Sequence, residues 1–285
     1  MRSWCCLLMA IYFHIHTFAQ TGTDIILFDL KVNAAGISLS NPVNITSHAG
    51  YDNQPFFYKT DIYYSSADSG QMDIKKYNYQ TKITSTITHT ADNEFSPTVT
   101  PDGKFISCIL QRKNGKQDLV KYPINGGEPV MIIDNLKVGY HLWIDNNSLL
   151  LFVLEDTVTN GLHYYNTKTK DATRITTRIG RSLHKIPGKN AISFIQKDST
   201  AWFIKKYDVL SKKVSTIMAT LPGHEDITWT NSGIIITSDG KEIYYSKPGN
   251  NGWQKITMMT DELFKNVTRL ALNKQNTKLA VVVAE

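Results

Sequence analysis

The chain of 285 residues is 41% hydrophobic and 20% charged, enough apolar material for a sizeable core and too little charge for a disordered chain. Its formal net charge of +6 is spread over scattered or paired lysines (Lys75-Lys76, Lys205-Lys206, Lys212-Lys213), which excludes the dense basic stripe of a nucleic-acid binder. Two of the three cysteines, Cys5 and Cys6, fall in an apolar N-terminal segment, so a chain that loses that segment keeps only Cys108 and closes no internal disulfide.

The first twenty residues differ from the rest. Arg2 is a short basic start, Trp4 to Ile15 is mostly apolar, and Thr17-Phe18-Ala19 places small residues at the −3 and −1 positions of a cut before Gln20. This is the layout of a secretory signal peptide, and residues 1–19 are expected to be removed on export. The apolar run is interrupted by His14 and His16 and is short beside the roughly 20 residues of a spanning helix. No later segment is long and apolar enough, so the mature chain is expected to have no membrane span.

From Asp24 onward the sequence reads as short strands separated by turn chemistry. The clearest stretch is Glu94 to Ile106, E-F-S-P-T-V-T-P-D-G-K-F-I. It predicts an extended segment, a turn at Pro101-Asp102-Gly103 and a return strand through Phe105 to Leu110. Proline presets φ at the start of such a turn and glycine supplies the positive φ.

Weaker copies recur along the chain. An apolar residue marks each opening strand: Phe57, Val99, Trp143, Ile186, Trp229 and Leu272, in steps of 42, 44, 43, 43 and 43. An aromatic marks a later strand: Phe28, Tyr77, Tyr122, Tyr165, Tyr207 and Tyr245. An isoleucine closes each unit: Ile45, Ile87, Ile132, Ile175, Ile217 and Ile256, and these are expected in the core. Four short strands per 40–45 residues is the repeat of a β-propeller blade. Five complete units begin near Pro55, Pro97, Leu142, Lys185 and Thr228. The C-terminus holds two further strands, Arg269 to Asn273 and Lys278 to Ala284, and the mature N-terminus another two, Asp24 to Leu30 and Leu39 to Thr46. The expected fold is therefore all-β: a six-bladed β-propeller of four-stranded blades, its last blade completed by the N-terminal strands. Residues 20–285 are expected to form one domain.

The segment just quoted, together with Asp52-Asn53-Gln54-Pro55 and Asn93-Glu94-Phe95-Ser96-Pro97, resembles the TolB-like six-bladed propellers of bacterial periplasmic proteins. The motif is clear in the second blade, partial in the first and eroded elsewhere, as at Trp143-Ile144-Asp145 and Leu272-Asn273-Lys274. The resemblance implies an exported location and a role in protein–protein contact. TolB itself carries an α/β domain before its propeller, for which the span between residue 20 and the first strand leaves no room. A stand-alone, monomeric propeller is expected, with an envelope or secreted protein or peptide as partner and with no nucleic acid and no cofactor.

Signatures of propeller enzymes are sparse. There is no G-x-S-x-G elbow. Ser66-Ala67-Asp68-Ser69-Gly70 matches half of a sialidase box, but as a turn between strands it needs no further role. His141, His184 and His224 lie at or just before the opening strands of three consecutive blades, and Asp52 and Glu94 at related places in the two before them. In a propeller these positions converge on the axis, so the five are candidates for a polar rim around the central funnel. Such a rim would respond to pH near 6–7, where histidine titrates. The alternative is a metal-dependent carbohydrate- or lactone-active enzyme with its site in that funnel. The spacing shows no H-x-H or H-E-x-x-H pair, and no metal ligands are assigned.

Overall fold

The computed structural model describes residues 22–33, 36–155, 159–250, 252–258 and 264–285; the expected export segment, residues 1–19, lies outside them. Among the described residues there is no helix. The strands form six sheets arranged as the blades of a propeller, the four strands of each blade antiparallel. Each blade runs outward from a central channel. Blade two is typical: Asn93–Val99 lines the channel, followed by Phe105–Gln111, Gln117–Pro123 and the outer Val130–Ile133. The inner strands of blades one and three to six are Asp52–Tyr58, Val138–Asp145, Ile179–Lys185, Ile227–Trp229 and Arg269–Leu272.

The turn at Pro101-Asp102-Gly103 forms as read. The Gly103 N–H donates to the Thr100 carbonyl at 2.8 Å, and Asp102 Oδ1 accepts from Thr100 Oγ1 at 2.6 Å and the Lys104 N–H at 3.1 Å. Gly103 has φ 69°, and a Cβ there would collide with the Tyr58 hydroxyl of blade one. Glycine is thus required both by its backbone and by the neighbouring blade. The half sialidase box is a turn as well: Asp68 ends one strand, Gln71 begins the next, and Ser69 and Gly70 between them have φ 51° and 86°.

The core lies between the blades. Side chains alternate across a strand with a period of two, so one strand serves two interfaces. In Asp61–Asp68, Ile62 and Tyr64 pack with Ile25, Leu27 and Val282 of blade six, whereas Tyr63 packs with Val99, Ile106 and Cys108 of blade two. The same arrangement repeats around the ring, ending with Ile236 and Ile243 of blade five against Phe28, Leu39 and Leu279 of blade six. Cys108 is fully buried here.

Blade six joins the two ends of the chain. Its order from the channel outward is Arg269–Leu272, Lys278–Ala284, Thr23–Asn33 and Gly36–Asn44. The N-terminal and C-terminal strands pair from Thr23↔Ala284 to Asp29↔Lys278, and the last pair also forms an ion pair. A two-residue strand of the preceding unit, Thr257–Met258, runs parallel to the outer strand at Ser38 and Leu39.

The closing isoleucines need correction. Ile45 and Ile256 are buried at 8% and 1% exposure, but Ile87, Ile132, Ile175 and Ile217 are only half-buried. The outer strand of a blade has one neighbour and follows the edge of the core, so its side chains are covered less. In blade two the fully buried residue is Ile133, one position later, where a register shift follows Met131. Ile256→Ala should therefore cost about 2–5 kcal/mol, and Ile175→Ala about half as much, in chemical denaturation. Deleting residues 21–46 strips Lys278–Ala284 of its N-terminal partner and leaves it only Arg269–Leu272. The product should aggregate or melt far below the parent, as checked by calorimetry and light scattering.

Candidate functional site

All six repeats supply side chains to the axial channel, from the inner strand or, in blade five, from the residue just before it. Counting back three residues from the apolar marker of each repeat gives Gln54, Ser96, Tyr140, Leu183, Asp226 and Arg269. Every one of these lines the same cavity of about 130 Å³. Local backbone explains part of the aim. The pairing slips between Asn53 and Phe56 and between Phe95 and Thr98, and within these slips Gln54 and Ser96 take φ 61° and 55°. A bulge interrupts the two-residue alternation and re-aims the side chains beside it.

Charge is concentrated on one side of the channel. Arg181 Nε and Nη2 donate to Asp226 Oδ2 at 3.1 and 2.6 Å, and Nη2 also reaches the Thr268 carbonyl at 2.8 Å. Burial works against the Arg181 charge, yet the pairing with Asp226 keeps its pKa above the ordinary value. Arg269 Nη2 donates to the Tyr140 hydroxyl at 2.9 Å, and the guanidinium carbon stands 4.9 Å from the centre of that ring. A wider cavity of about 420 Å³ lies toward the starts of the inner strands. It shares Gln54, Tyr140 and Arg181 with the inner one and adds Tyr51, Phe95, Phe152, Lys197 and Glu225. Lys197 Nζ and Glu225 Oε2 are 2.9 Å apart at this mouth, and burial raises the pKa of the Tyr51 phenol to about 12.

The structure brings two of the five expected rim residues together. His141 and His184 both line the inner cavity. The ring of His141 is 2.7 Å from Ser107 Oγ, to which the Trp143 indole N–H also donates at 2.8 Å. His184 Nε2 lies 3.0 Å from Ser182 Oγ. Burial lowers the pKa of His141 to about 3 and of His184 to about 4. Both are neutral at pH 6–7, so the pH response expected of them there does not arise.

The other three do not line either cavity. Asp52 is fully buried, with its carboxylate 3.2 Å from His48 Nε2. Glu94 is fully buried and accepts from the hydroxyls of Tyr122 at 3.0 Å, Thr88 at 3.3 Å and Thr90. His224 sits in the loop before Ile227–Trp229, with its N–H donating to the Leu221 carbonyl at 3.1 Å. These three stand five residues before the apolar marker. In blades one and two the bulge falls between that position and the axis, so the carboxylates turn into the blade interior. Sequence reasoning missed Gln54, Ser96, Tyr140, Arg181, Asp226 and Arg269; apart from Arg181, the signal was a fixed offset within the repeat that was already visible. Among the described residues no group of three or more His, Cys, Asp or Glu side chains is placed to hold a metal ion.

No family model matches the chain, and no curated protein matches it in sequence. The likeness is in three dimensions. A putative TolB from Agrobacterium tumefaciens is 13% identical with a TM-score of 0.72, over 94% of this chain and 99% of that one. TolB from Acinetobacter baumannii is 12% identical with a TM-score of 0.57; the match covers 93% of this chain but only 64% of that protein. An oligogalacturonate lyase from Vibrio parahaemolyticus is 11% identical with a TM-score of 0.51, over 93% and 98% of the two chains. The protein thus has the six-bladed fold of the TolB propellers.

Glu94 generates a pH prediction. Burial raises its pKa from 4.5 to about 7, against the lowering effect of its hydroxyl partners. Between those values the unfolded chain releases a proton that the folded one retains, so Glu94 makes stability fall as pH rises through this window. Glu94→Gln should gain on the wild type from pH 4.5 to about 7, with a constant difference above it. Melting temperatures of the two proteins across pH check this; Asp52 and Asp73, also raised by burial, are common to both.

Proposed function

We propose that this propeller is an exported, non-enzymatic scaffold that holds a protein or peptide partner at the cell envelope through the mouth of its channel. The observation that carries the proposal is the composition of the wider cavity. Tyr51, Phe95, Tyr140 and Phe152 offer aromatic surface beside Arg181, Lys197 and Glu225. Aromatic and arginine side chains in a recess are the usual anchors of a protein interface, and charges of both signs fix the orientation of what binds. Export is supported by the basic start, apolar run and small residues of 1–19. The scaffold role is supported by the likeness to TolB structures, which concerns the fold.

Cross-linking and pull-down from the native envelope test the proposal. Gln111→Arg and Asn160→Arg place bulk and charge in the mouth at half-buried positions. With melting unchanged, each should weaken capture of the partner by about tenfold, or about 1.4 kcal/mol. Undiminished capture would put the partner on another surface. A chain lacking residues 1–19 should stay in the cytoplasm on cell fractionation.

A further inference from the structure

We propose that the inner channel is a carboxylate-binding site for an organic acid that carries an N–H or O–H donor beside its carboxyl group. The site presupposes that the channel is where this protein binds, as proposed above, and adds the chemistry of what enters it.

The inner cavity is short of acceptors. The side chain of Arg269 is 12% exposed. A guanidinium has five N–H groups, and the only hydrogen bond that Arg269 makes from its side chain among the described residues runs from Nη2 to Tyr140. Its Nη1 stands 3.8 Å from Asp226 Oδ1, beyond hydrogen-bond length. Arg181 spends Nε and Nη2 on Asp226 and Thr268, and among the described residues its Nη1 has no hydrogen-bond partner. Ser96 lines the same cavity, and its Oγ is buried with no hydrogen-bond partner among the described residues. Unmet donors in a recess of low dielectric are costly unless something fills them.

The balance of charge sets the class of ligand. Arg181 and Arg269 face Asp226, Arg181 also stands 3.6 Å from Glu225, and Lys197 pairs with Glu225 at 2.9 Å. With the two channel histidines neutral, three cations meet two carboxylates and one positive charge is in excess. A carboxylate supplies one negative charge and two oxygens able to accept a fork of N–H donors. The cavity of about 130 Å³ is of a size for an acid group and a few attached atoms.

His141 adds the second requirement. Its Nδ1 is buried without a partner among the described residues. Ser107 Oγ donates its proton to the Thr98 carbonyl at 3.0 Å, so the neutral His141 donates from Nε2 to Ser107 and presents Nδ1 as a bare acceptor. A ligand with an N–H or O–H next to its carboxyl group satisfies both. The last residue of a peptide has this pattern, its amide N–H beside the terminal carboxylate. A sugar acid has it too, with ring hydroxyls.

Titration calorimetry on the purified protein tests the site with four probes: N-acetyl-trialanine as free acid and as carboxamide, and galacturonic acid and its methyl ester. The expected result is that at least one free acid binds about tenfold or more tightly than its neutral counterpart. Binding by the peptide acid alone assigns the site to chain termini, and binding by galacturonate alone to sugar acids. Arg269→Gln should abolish the preference for the acid, and Arg269→Lys, which keeps charge but not the fork, should restore part of it. Equal binding of acid and neutral forms, no binding of either acid, or an Arg269→Gln protein that keeps the preference overturns the proposal. The comparison on unaltered protein decides even where a variant fails to fold. Should partner capture depend on Gln111 and Asn160 while no acid binds, the mouth remains the partner's site and only the carboxylate falls. Should an acid bind while capture ignores the mouth, the reverse holds.

Discussion

The pairing of Thr23–Asn33 with Lys278–Ala284 is the contact on which the ring depends. Every other sheet is built from strands that follow one another in the chain, and each could form from local hairpins. The sixth alone needs both ends. Its hydrogen bonds run along the register from Thr23↔Ala284 to Asp29↔Lys278, and its side chains complete two interfaces at once, against blade five through Phe28 and Leu279 and against blade one through Ile25 and Val282. Without it, two blades would each lose a neighbour and two sheet faces would meet water, the situation a closed ring avoids.

Closure also explains why the channel is so well defined. Six inner strands held at fixed spacing bring one residue from each repeat to the axis, so residues some 43 positions apart in sequence become neighbours. Tyr140 and Arg269 are hydrogen-bonded across a separation of 129 residues. The same ring keeps Asp226 between two arginines that come from blades four and six, one on either side of its own.

The architecture was legible because its cause is periodic. Apolar markers at Val99, Trp143, Ile186 and Trp229 face the inter-blade cores and are buried, and the half-units at the two ends complement one another. What failed was finer than the period. The closing isoleucines share a register mark but sit on the outer strands or just past their ends, where cover varies from Ile256 to Ile217. His141 and His184 do line the channel, whereas the carboxylates expected beside them do not, for a related reason. Asp52 and Glu94 were placed by their nearness to strand starts, and the bulges at Gln54 and Ser96 turn them inward. Polar residue type drew the eye to histidines, whereas offset from the marker would have found Tyr140, Asp226 and Arg269. A sequence shows where strands recur more readily than where one of them slips by a residue.

The closing blade has a consequence in time. Asp29 and its partner Lys278 are 249 residues apart, so although Thr23–Asn33 can pair with Gly36–Asn44 at once, nearly the whole chain must exist before it meets its C-terminal neighbour. Contacts of such separation form late and slow the folding of all-β chains. During synthesis the residues of Thr23–Asn33 emerge first and wait longest, and until the last strand arrives the ring has no seal. Until that strand arrives, the five sheets built of consecutive strands can form, but blades one and five each keep one face uncovered.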